Sequence, residues 1–261
     1  MSGPEKGLFD PCTVTQRRSG TSGWWLTSNF SEDKAMGQHN FRPLKDHAEK
    51  LIKFKQDVYL SGAYKGLPLG KEIYFESRGG VCAILTAEWL QHRLCGTPTN
   101  FERAADISAK DDDNAAEMVK NADMCQQLFA IDTKEVDAKA WATPRIDLLD
   151  RRGLKVLDTD VNPVLLLVKL KRLMKKLDED EGVFFSNTVK LSGQTRTYAH
   201  ATGFCYKGEK YEFFDSNIGA YAMDPTKVEV FFQTYLTIYK EKLGLEFTAA
   251  RDFTVCDKSK S

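Results

Sequence analysis

Residues 197–215 read TYAHATGFCYKGEKYEFFD, and the turn at their centre decides how the chain around it is arranged. Tyr206-Lys207 and Lys210-Tyr211 flank Gly208-Glu209, the pattern of a two-residue hairpin loop between two strands. With that loop Lys207 faces Lys210, so Thr202 faces Asp215 and His200 faces Asn217. Side chains alternate across a strand, which puts His200, Thr202, Asp215 and Asn217 on one face. Asp215 is then diagonal to His200, about 7–8 Å away between backbones, a gap that a carboxylate can span. A three-residue loop would reverse the parity and break this grouping. The bland reading of the same residues is a hairpin whose polar side chains face water.

An imidazole held by a carboxylate needs a nucleophile. Gly79-Gly80 leads directly into Val81-Cys82-Ala83-Ile84-Leu85-Thr86-Ala87-Glu88-Trp89-Leu90, apolar nearly all round, which predicts a mostly buried helix. Cys82 sits at its start, where unpaired N–H groups and the helix dipole favour a thiolate. The other thiols are worse placed. Cys95 is at the far end of the same helix, and Cys125 and Cys205 lie inside amphipathic elements. Four histidines are available. His92 is on the helix of Cys82, about 15 Å along its axis at 1.5 Å per residue, so it cannot reach. His39 and His47 have no carboxylate tied to them by the sequence. His200 does.

Beyond these blocks the chain has 261 residues, 37 basic and 37 acidic, with 42% hydrophobic and 11% aromatic, enough to bury a core without disulfides or a structural metal. Zero net charge argues against a generic nucleic-acid binder. No stretch is apolar for long enough to span a membrane, and the first residues lack the apolar run of a Sec leader. Six cysteines without a CxxC pair read as free thiols of a reducing compartment, not as a zinc or redox site.

Residues 1–43 are expected to form a flexible leader or accessory segment, and 44–261 one domain. Leu44, Ala48, Leu51, Ile52, Val58 and Tyr59 predict a helix after Pro43. Further helices are expected at 101–110, 114–131 and 134–150, the last weakened by Pro144. A short strand is expected at 154–157, then a helix capped by Asn162 with Pro163 at its first position. From Gly182 the sequence is rich in strand, with pieces at 197–206, 210–215 and 219–223. A helix from Asp224-Pro225 to about Leu243 and a last strand at 245–256 complete it. Helices first and an antiparallel sheet afterwards predict an α+β fold. The run Lys169, Lys171, Arg172, Lys175, Lys176 admits contact with anionic lipid or an acidic partner, though a solvated helix face is the simpler reading. Asp111 to Asp113 read as a loop cluster, not a metal site. Phe231, Phe232, Tyr235 and Tyr239 recur at helical spacing and read as core.

The blocks Gly80 to Leu90, Ala199-His200-Ala201-Thr202-Gly203 and Phe213-Phe214-Asp215-Ser216-Asn217-Ile218-Gly219 resemble, in order, the three motif blocks of the YopT and AvrPphB type of bacterial cysteine protease effector. The resemblance spans roughly Arg78 to Met223 and implies a papain-like fold. It also implies Cys82 as nucleophile, His200 as general base and then acid, and Asp215 as the orienting carboxylate, with Asn217 as the alternative orienter. The backbone N–H of Cys82 is one expected oxyanion donor. Papain-like enzymes usually draw the other from a side-chain amide a few residues upstream, where this chain has Glu76, Ser77 and Arg78. No cofactor or metal is implied. The expected partner is a host protein substrate, reached after export from a bacterium without a cleaved Sec leader. The same triad chemistry also serves glutamine deamidases and transglutaminases, and the missing upstream amide keeps an inactive binding module of the same fold as a third reading.

Overall fold

The computed structural model of the chain describes residues 41–54, 82–96, 138–193, 195 and 197–260. The strands are β1 (Glu49–Ile52), β2 (Leu154–Val164), β3 (Glu181–Leu191), β4 (Thr197–Lys207), β5 (Lys210–Asp215), β6 (Gly219–Met223) and β7 (Leu245–Asp257). The α-helices among the described residues are α1 (Cys82–Cys95), α2 (Ala138–Arg151), α3 (Leu166–Leu173) and α4 (Val228–Leu243). All seven strands form one sheet in the order β1-β6-β5-β4-β3-β7-β2, every pairing antiparallel.

Both faces of this sheet are covered, which explains why its strands read as nearly continuous apolar runs. The adjacent phenylalanines show the division. Phe184 and Phe214 pack with α1 and α2 on one face, while Phe185 and Phe213 pack with α3 and α4 on the other. Helix α1 is buried along most of its length, as its sequence predicts, and Trp89 stacks on Phe214 with ring centroids 5.5 Å apart. Gly203 of β4 makes room for that indole: a Cβ there would lie 2.7 Å from Trp89 Cε3 and Cζ3. The far end of α1 is tied to the same hairpin. Arg93 forms a two-pronged ion pair with Glu212 of β5, and Lys207 Nζ donates to the Arg93 carbonyl. Helix α3 is anchored by Leu166, Leu170 and Lys169; the Lys169 ammonium, 1% exposed, sits 2.5 Å from Asp252 Oδ1 and 2.9 Å from Asp160 Oδ2.

The hairpin has the expected register, from Lys207↔Lys210 to Thr202↔Asp215. Gly208 and Glu209 have φ of 55° and 64°, the positive values that a type I′ turn requires. Helix α2 forms with Pro144 inside it. Two expectations are corrected. The helix expected from Leu44 is not formed: a 3₁₀ turn, Arg42–Asp46, gives way to β1, which pairs with β6. An open sheet edge recruits this segment, and its alternate residues Lys50 and Ile52 are half-buried while Leu51 is 39% exposed. Asn162 and Pro163 do not start a helix either. They lie in edge strand β2, where the register shifts between Asp160 and Val164 and a residue without an N–H disrupts nothing. Asp160 Oδ1 accepts the Asn162 N–H, and α3 starts at Leu166. The leader before residue 41, the end of the helix expected at 44–59, and the helices expected at 101–110 and 114–131 lie outside the described residues. So do Glu76 to Gly80, His39, Cys12, Cys125 and Asp111 to Asp113.

Candidate active site

Cys82 is the first residue of α1 and is 4% exposed. Strand β5 ends at Asp215, opposite Thr202, so the next residue of β4, Ala201, has no β5 partner. The Cys82 sulfur takes that place and accepts the Ala201 N–H at 3.4 Å. The thiol is thus fixed beside the strand that carries His200, close enough to add to the rise in the imidazole's pKa. Cys82 and His200 are 118 residues apart in sequence.

His200 is 8% exposed, and its Nε2 lies 3.1 Å from Asp215 Oδ1. That approach is oblique, since the ring N–H does not point straight at the oxygen. With Nε2 against the carboxylate, Nδ1 is the ring nitrogen left for the thiol. Burial alone would drive the imidazolium pKa down. The charge and contact of Asp215, followed by Cys82, outweigh it and raise the value from an ordinary 6.5 to about 10. Burial likewise favours a protonated Asp215, but His200 first, then Tyr239 and the Asn217 N–H, hold its carboxyl below the usual range. The two shifts agree in describing an ion pair.

Asp215 is fully buried and richly bonded. Tyr235 and Tyr239 of α4 donate their hydroxyls to Oδ2 at 2.7 and 2.5 Å, and the Asn217 N–H donates to Oδ1 at 2.8 Å. Burial, and then the Asp215 charge, push both phenol pKa values well above 10, so these hydroxyls remain donors. The pairing of Asn217 with His200 expected from the hairpin is not formed: the ladder ends at Asp215, Asn217 lies in the turn after β5, and its amide donates to Tyr239 Oη at 3.1 Å. Thr202, opposite Asp215, accepts the side-chain N–H of Asn187, which faces His200 across β3 and β4. The His200 ring is flanked by Tyr239 and Phe247, with centroids 6.2 and 6.1 Å away.

Of the residues singled out in sequence, Cys82, His200 and Asp215 come together. His92 lies in the last turn of α1, far from its first residue. The other described thiols are held protonated: Cys95 is pushed up to about 11 by burial and then Asp257, Cys205 is raised by burial and Glu212, and Cys256 is raised by burial. Tyr235 and Tyr239, read as core from their spacing, have their rings in the core and their hydroxyls on Asp215. A signal did exist, because a buried phenol needs a partner for its O–H. Asn187 carried none. Among the described residues no group of three or more His, Cys, Asp or Glu is placed to hold a metal ion, and no helix is long and apolar enough to cross a membrane.

The Pseudomonas avirulence protein AvrPphB, known from its crystal structure, superposes with a TM-score of 0.51 at 13% identity, over 69% of this chain and 93% of that one. At that identity the likeness concerns the fold, and it bears out the α+β papain-like architecture expected from the sequence. No curated protein sequence matches the chain. The sequence profile described as Yersinia/Haemophilus virulence surface antigen matches residues 48–251, a span that includes all three motif blocks. The chain therefore belongs to the Yersinia/Haemophilus virulence surface antigen family of cysteine peptidases.

Proposed function

We propose that the chain is a secreted effector endopeptidase that cuts a host protein inside the host cell, using Cys82, His200 and Asp215 within a catalytic domain of residues 44–261. The observation that carries this reading is the Cys82 sulfur held on the N–H of Ala201, the neighbour of His200, whose Nε2 lies 3.1 Å from Asp215 Oδ1. The imidazole takes the thiol proton. The thiolate attacks the peptide carbonyl carbon, and the carbonyl π pair moves to oxygen as the tetrahedral intermediate forms. The imidazolium then protonates the leaving amine, the C–N bond breaks, and a thioester remains. Water, deprotonated by the now neutral imidazole, adds to the thioester. Collapse releases the acid and returns the proton to sulfur. Asp215 stays ionised throughout and holds the ring in place. The Cys82 N–H, at the start of α1, is one donor to the oxyanion.

The test maps new protein N-termini in host-cell extract treated with the parent protein or with Cys82→Ala. Cleavage sites present with the parent and absent with the variant are expected. Identical maps, or a gain of about one dalton on an uncut substrate from side-chain amide hydrolysis, would overturn the assignment.

A further inference from the structure

We infer that Tyr235 and Tyr239 are positioning residues for the proposed triad, holding Asp215 in the one orientation that serves His200. The inference rests on the assignment of Asp215 as orienter, and it goes beyond it by naming what orients Asp215.

The geometry supports this atom by atom. The two carboxylate oxygens have different tasks: Oδ2 accepts only the tyrosine hydroxyls among its described contacts, while Oδ1 accepts the Asn217 N–H and meets His200 Nε2. Rotation about the Cβ–Cγ bond would break both phenol bonds and carry Oδ1 away from the ring. The clamp matters because the His200 contact is oblique and does not fix the carboxylate by itself. The phenols sit four residues apart, on one face of α4, so the pair forms wherever that helix docks against β5. Asn217 adds a further link by donating to Tyr239 Oη. The rings pack against each other with centroids 4.7 Å apart and against Phe247, so their positions are set by the core. Phenylalanine at 235 and 239 keeps that packing and removes only the hydroxyls.

The probe is iodoacetamide, and the readout is the rate of Cys82 alkylation against pH, followed by mass spectrometry. It needs no identified substrate and reports the thiolate paired with imidazolium. In Tyr235→Phe/Tyr239→Phe the Cys82 rate on the acid limb of its profile is expected to fall about tenfold, equivalent to a lower inflection about one pH unit higher, as the ion pair loses support. Asp215→Asn should do the same. The decisive comparison is the combined variant, in which the Tyr→Phe changes should add nothing to Asp215→Asn, because they act only through that carboxylate. A parent-like profile for the double Tyr→Phe variant, with Asp215→Asn impaired, would overturn the clamp and leave the triad standing. Losses that simply multiply with Asp215→Asn would also overturn it. A parent-like Asp215→Asn, or a parent Cys82 that reacts as slowly as an ordinary thiol, would remove the triad reading itself. Should the double variant melt far below the parent, Tyr239→Phe alone is run through the same cycle, with the same outcomes deciding.

Discussion

Gly203→Ala tests how closely the position of Cys82, the proposed nucleophile, depends on packing remote from it. The added methyl would lie 2.7 Å from Trp89 Cε3 and Cζ3 and 3.3 Å from Thr86 Cγ2. The first contact falls about 0.7 Å inside the 3.4 Å at which ordinary contact begins. Trp89 has no easy retreat, being fully buried and stacked on Phe214. Thr86 and Trp89 both ride on α1, so relief requires the helix to lift from β4. Overpacking of this kind costs about 1–3 kcal/mol, or roughly 3–9 °C in Tm for a domain of this size. The lift also moves Cys82 by some tenths of an ångström relative to Ala201 and His200. A 1 Å misplacement costs about a hundredfold in rate, so roughly tenfold slower turnover is expected. Thermal and urea unfolding measure the first effect, and cleavage of a mapped substrate well below the Tm measures the second. Adding Trp89→Phe, which shrinks the obstructing ring system, should make the pair less destabilised than the two changes summed. A Gly203→Ala protein with parent Tm and parent rate would refute the reasoning, as would full additivity with Trp89→Phe.

Stability should vary with pH through the His200–Asp215 pair. A raised imidazolium pKa contributes stability fully below about 6.5 and loses it as pH climbs toward about 10. A depressed carboxyl contributes fully above about 3.9 and loses it on acidification. The contribution is therefore largest between about pH 4 and 6.5, and the Tm difference between parent and His200→Gln should shrink on either side of that window. A difference that stays flat from pH 4 to 10 would contradict the pairing. Lys169→Ala should cost about 3–5 kcal/mol, because it leaves the buried Asp252 carboxylate without its ammonium. Lys169→Met/Asp252→Leu should recover most of that loss in urea unfolding, and no recovery would show that the pair is not the source.

How much was legible in sequence depended on how local the information was. The hairpin was readable because two residues, Gly208 and Glu209, set the parity of everything on either side. Helix α1 was readable because an all-round apolar segment after paired glycines has few other destinations. Residues 44–52 misled because a few apolar positions fit both helical spacing and an edge strand, and the deciding factor, the free edge of β6, lies some 170 residues away. Asn162-Pro163 has the composition of a helix start, yet Pro is equally at home on an edge strand, and β2 is one. The tyrosines escaped because spacing places a ring but not its hydroxyl. Their partner, Asp215, is 20 and 24 residues away on another element.

The attachment of α1 to one hairpin has a wider consequence. Trp89 on Gly203, Arg93 on Glu212 and the Cys82 sulfur on the Ala201 amide moor α1 at three points to the hairpin that carries His200 and Asp215. Cys82, His200 and Asp215 are thus held by one helix and one hairpin that grip each other directly. Substitutions in the outermost strands, β1 and β2, should therefore lower the melting temperature before they disturb the placement of Cys82 against His200.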